Sequence, residues 1–148
     1  MIMRTNKVLE DLTSTMKIDP DEYSPITSRD RASSLGYALA GWLYMLRRQK
    51  NTRIQAVASI LIMVVAVWLE IGLTELAVLI LTITMVWMAE FMNAAVEAAI
   101  NIAAPGLHPM AKVGKDVASA AVLLGVVASV IVGLLILGPP LLAKLALL

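Results

Sequence analysis

Cysteine is absent from the chain, which excludes disulfides and thiolate metal sites and leaves the redox compartment open. Histidine occurs once, at His108, so zinc chemistry built on clustered imidazoles is excluded as well. Charged residues make up only 16% of the sequence and net to +1, which gives the chain no overall attraction for nucleic acid. Neither a GxxxxGK(S/T) phosphate loop nor an HRD or DFG element occurs. The first residues carry acids and prolines but no apolar run, so no secretory signal peptide is expected.

What is abundant is apolar side chain. Of 148 residues, 59% are hydrophobic, and the mean hydropathy is +0.82. A water-soluble domain of this size cannot hide that much apolar surface, so the expected solvent is lipid. The pattern predicts an all-α integral membrane protein with three transmembrane helices and an N-terminal amphipathic surface helix. Residues 1–28 read as a flexible cytoplasmic tail and residues 29–148 as the membrane domain.

Within that domain, Leu35, Leu39, Trp42, Leu43 and Leu46 recur at helical spacing over residues 29–49. Trp42 and Tyr44 suit the headgroup boundary, and Arg47, Arg48, Lys50 and Arg53 follow at once, the pattern of a helix lying on an anionic leaflet. Spans are expected at about 54–69, 76–101 and 113–137, the last closed by Gly138-Pro139-Pro140. Lys and Arg gather on one side of these spans and only Lys144 falls on the other. The N-terminus and second loop are therefore expected in the cytoplasm. Along the third span Ala121, Gly125, Ser129 and Gly133 form a small-residue stripe that suits close packing, within the chain or between subunits.

The stretch AEFMNAAVEAAIN, residues 89–101, places two acids and two amides at the end of the second span. At ~100° per residue, Glu90, Asn93, Glu97 and Asn101 share one stripe. A carboxylate facing lipid costs at least ~2.5 kcal/mol, so the stripe must face protein, a cation or water. With entry at Leu76, Glu90 lies ~21 Å down the helix, inside the hydrocarbon, and Glu97 ~10 Å further, at the cytoplasmic surface. The short loop makes the second and third spans antiparallel neighbours. That brings Glu97 and Asn101 toward Lys112, Lys115, Asp116 and Ser119, which share a face. A plain Lys115–Glu97 salt bridge is the simplest alternative. Carboxylates and amides suit a hard cation, and lysine suits phosphate. Together with a buried base they are the parts of phosphoryl transfer.

The run Glu90-Phe-Met-Asn93-Ala-Ala-Val-Glu97-Ala, followed by His108-Pro-Met-Ala-Lys112-Val-Gly-Lys115-Asp116-Val-Ala-Ser119-Ala-Ala-Val, resembles the prokaryotic diacylglycerol kinase family. Asn51-Thr-Arg53-Ile54 is similar to the element of the branch that includes undecaprenol kinases. The resemblance implies a lipid kinase that uses ATP and Mg²⁺, assembles as a homotrimer in the bacterial inner membrane and takes diacylglycerol or undecaprenol. It implies Glu90 as general base and Asn93 as its orienting neighbour. Glu97 would hold the Mg²⁺ of ATP, and Lys115, Asp116, Lys112 and Asn101 would lie on the nucleotide side. Gln49 stands where the family usually has a metal-binding glutamate, Asn101 where an aspartate is common, and Ala40 where a lysine often precedes Gly41. Two other classes are compatible with buried acids: a small proton- or cation-coupled transporter, and a structural membrane subunit without chemistry.

Overall fold

The computed structural model describes residues 31–146. The expected tail over residues 1–28 lies outside the described residues. Four helices follow one another: α1 Arg31–Arg48, α2 Lys50–Trp68, α3 Leu73–Ala103 and α4 Pro109–Leu145. No strand occurs among the described residues. The last three helices are long and apolar enough to cross a membrane, with 19, 31 and 37 residues. The chain is an all-helical membrane protein. Two compact units divide it, one ending at Trp42 and the other beginning at Leu43; every site residue discussed below belongs to the second.

α1 ends on Arg47 and Arg48, cations suited to the negative end of a helix dipole. A single residue then breaks the helix. Gln49 adopts an extended backbone (φ −98°, ψ 118°) and caps α2 without a side-chain hydrogen bond. Glutamine is too long to reach back to the first amides as Ser or Asp would, so its side chain remains available.

The α2–α3 turn is a left-handed cap. Glu70 sits at φ 55°, its N–H reaches the Val67 carbonyl (3.1 Å), and the Ile71 N–H reaches Ala66 (3.3 Å). This satisfies orphan carbonyls in the Schellman pattern, with glutamate where glycine is the usual choice. Gly72 then starts α3.

α3 packs chiefly on α4 and more lightly on α2. The antiparallel register is marked by glycines: a Cβ at Gly114 would lie 2.8 Å from the Ile100 Cδ1, and one at Gly125 would lie 3.9 Å from the Val86 Cα. At Gly125, then, the small-residue stripe serves packing within the chain. α2 and α3 are tied by Trp87, whose indole N–H donates to the Ser59 hydroxyl (3.1 Å).

α4 runs on through Pro139 and Pro140 to Leu145 and does not stop at Gly138 as the sequence suggested. Proline's fixed φ is itself helical, and the missing N–H groups are tolerated in membrane helices whose ends are held by neighbours. Here the hold is Lys144. Its ammonium donates to the Trp68 carbonyl at the end of α2 (2.6 Å) and lies 4.7 Å from the centre of the Trp68 ring. No residue of α4 is buried within the single chain.

Candidate active site

The polar stripe of α3 grades from buried to exposed along the helix. Glu90 is 5% exposed, Asn93 and Glu97 are half-buried, and Asn101 is exposed at the loop end. Glu90 has company from α2: the Asn51 side chain hydrogen-bonds to it, and the Glu97 carboxylate, two turns along, acts on it through space.

A cavity of about 390 Å³ lies against Glu90, walled by α2, α3 and α4. Its lining runs from Asn51 to Ile62 on α2, from Leu79 to Glu90 on α3 and from Val122 to Gly133 on α4. Because α3 runs antiparallel to its neighbours, Asn51, Glu90 and Val122 share one end. Eleven residues of helix rising ~1.5 Å each make the chamber about 16 Å long. One end is polar, and the body is almost wholly apolar. Such a shape suits a hydrocarbon chain with a hydroxyl at its head, and the volume falls in the usual range for small-ligand sites.

The wall hydroxyls are turned to their own helices. Ser59 donates to the Gln55 carbonyl (2.8 Å), Thr82 to Val78 (2.7 Å) and Ser129 to Val126 (2.8 Å). Three buried polar atoms have no partner among the described residues: the Thr52 hydroxyl, the Gln55 amide nitrogen and the Asn93 amide oxygen.

At the loop end the lysines have partners, though not the expected one. Lys115 donates to the Asn101 amide oxygen (2.7 Å), not to Glu97, because Asn101 lies a turn nearer the loop where α4 begins. Lys112 and Asp116, one turn apart on α4, form an exposed ion pair. The His108 imidazole nitrogen accepts the Met110 amide N–H (3.2 Å) and caps α4.

Among the described residues, no group of three or more His, Cys, Asp or Glu is placed to hold a metal. Mg²⁺ does not require one, since it keeps several waters and binds through one or two protein oxygens plus substrate phosphates. The unpartnered Asn93 oxygen and the Glu97 carboxylate a turn further fit that pattern, with Gln49 as a neutral third candidate.

The structure thus brings Asn101 to Lys115 and Lys112 to Asp116, and sets Glu90 in the cavity. Gln49, Glu97 and Asn93 lie outside its lining. The sequence reading passed over Asn51 and Gln55. The signal was there: Asn51, Gln55 and Ser59 recur every four residues on an otherwise apolar helix, one polar face turned inward. Starting the first span at Ile54 left Asn51 outside it.

A family model described as prokaryotic diacylglycerol kinase matches residues 36–137. A diacylglycerol kinase of Synechocystis sp. is 38% identical over 111 residues, covering 74% of this chain and 63% of that protein. The undecaprenol kinase of Bacillus subtilis is 32% identical over 95 residues, 64% of this chain and 77% of its own length. A diacylglycerol kinase of Escherichia coli (strain K12) is 30% identical over 96 residues, 65% and 79% respectively. The chain therefore spans less than two thirds of the Synechocystis relative. All the site residues above lie inside the family match, and Lys144 lies beyond it.

Proposed function

The chain belongs to the prokaryotic diacylglycerol kinase family, and from that premise we propose that it phosphorylates the hydroxyl of a membrane lipid, diacylglycerol to phosphatidic acid, with undecaprenol as the alternative acceptor. The observation that carries this reading is Glu90, a buried carboxylate closing the polar end of an apolar chamber.

A lipid lying in the chamber presents its hydroxyl to Glu90. The carboxylate takes the hydroxyl proton as the lipid oxygen bonds to the γ-phosphorus of ATP, and the bond from that phosphorus to the β-phosphate oxygen breaks to release ADP. Asn51 holds the carboxylate from α2. Asn93, on the same face, orients the site. At the loop end Lys115 and Lys112 supply positive charge for phosphates, with Asn101 and Asp116 holding the two ammonium groups in place. Asn93, Glu97 and Gln49 are the oxygens that would hold Mg²⁺, which supplies neutralisation of the phosphate charge.

The protein lies in the bacterial inner membrane with its N-terminus and α3–α4 loop in the cytoplasm, where Arg47, Arg48, Lys50, Arg53, Lys112 and Lys115 gather. It assembles with copies of itself, as a homotrimer. The unburied faces of α4 favour such packing, as does a metal site short of acids in one chain.

The deciding assay is purified protein in micelles with ATP, Mg²⁺ and each lipid in turn. Phosphorylation of either lipid supports the reading. A folded protein that phosphorylates neither overturns it.

A further inference from the structure

We infer that Gln55 is a specificity-determining residue that selects an ester-bearing lipid over a polyprenol, its side-chain amide donating to the acceptor's ester carbonyl. The inference rests on the kinase reading above and names the acceptor class within it.

Polar groups are scarce in the chamber, and most have partners. Ser59, Thr82 and Ser129 are bonded to carbonyls of their own helices, and Asn51 is bonded to Glu90. The Gln55 amide nitrogen is different: buried, on a residue that lines the cavity, and without a partner among the described residues. A buried donor left unpaired is costly, whereas one that meets an acceptor is not. An acceptor brought in by the ligand removes the cost.

Position indicates which acceptor. Gln55 shares the inward face of α2 with Asn51 and lies one turn, about 6 Å, further from the polar end. A lipid with its hydroxyl at Glu90 therefore passes Gln55 a few bonds later. In a diacylglycerol an ester carbonyl lies at that remove from the hydroxyl. In a polyprenol the same stretch is hydrocarbon, and the amide stays unpaired. Sites built to hydrogen-bond a substrate group reject analogues that lack it far better than apolar pockets separate isosteres.

The test uses full-length protein in micelles with three acceptors: a diester glycerolipid, the matching diether, in which the carbonyls are replaced by methylenes, and undecaprenol. Wild type is expected to favour the diester over the diether by about tenfold in kcat/KM, the scale of one buried hydrogen bond. Gln55→Met, similar in size but without a donor, is expected to lower kcat/KM for the diester about tenfold, mainly through KM, and to leave the diether unchanged. Equal losses on both lipids would mean a structural role and overturn the inference, as would a wild type indifferent to the carbonyls. If Gln55→Met does not fold, the wild-type diester-to-diether ratio decides alone. Turnover of undecaprenol only overturns this inference and leaves the kinase reading standing. Turnover of none removes both.

Discussion

Replacing Glu90 with glutamine tests the centre of the site with the smallest change in shape. The amide fills the space of the carboxylate, keeps a hydrogen-bonding group for Asn51 and removes only the ability to take a proton. Glu90 is 5% exposed and faces an apolar chamber, so bulk water is poorly placed to substitute as base. The expected loss in kcat is that of a positioned general base, about 100- to 10,000-fold. At ~1.4 kcal/mol per tenfold that raises the barrier by about 3–5 kcal/mol. ATP binding is expected to be unchanged, because the lysines sit turns away at the loop. The thermal midpoint in detergent should equal or exceed that of wild type, since a buried charge is removed. The assay is ADP release at saturating lipid, paired with direct nucleotide binding to the same preparation. A variant that keeps a tenth or more of wild-type kcat, or that changes only the lipid KM, would show that Glu90 is not the base.

Three further perturbations separate the roles of other parts. Glu97→Gln is expected to raise the Mg²⁺ concentration giving half-maximal rate on the order of tenfold, the scale of losing a supporting metal contact; an unchanged Mg²⁺ titration would remove Glu97 from the metal site. Lys144→Met breaks the bond to the Trp68 carbonyl and the contact with its ring, and should lower stability by about 1 kcal/mol in detergent unfolding. No change in the unfolding midpoint would refute that tie. Glu70→Gly relieves a left-handed backbone at φ 55° and is expected to stabilise the protein by about 1 kcal/mol; a loss of stability would mean the glutamate side chain contributes more than its backbone costs.

Helix periodicity and hydropathy were enough to identify three apolar helices and the polar stripe on the second, because both are local properties of a chain in lipid. Local signals misled where the deciding contact is distant. Gly138-Pro139-Pro140 reads as a stop, yet the helix continues and its end is held by Trp68, some seventy residues earlier. Lys115 could be paired by charge with Glu97, but the register set at Ile100 and Gly114 gives it Asn101 instead. The chamber was not legible at all, since it exists only where three helices converge. Its polar lining on α2 was written in the sequence as Asn51, Gln55 and Ser59, but that stripe gains meaning only once α3 is known to face it.

The bond between Lys144 and Trp68 joins the last turn of α4 to the last turn of α2, the two helices that flank the chamber opposite α3. α2 packs only lightly on α3, so its distance from α4 is not set by packing alone. The two helices act as the jaws of a calliper, with Lys144 as the setting screw at the end remote from Glu90. Chain width at the far end of the acceptor, not at its reacting head, is then the dimension that residues beyond the family-matched segment control.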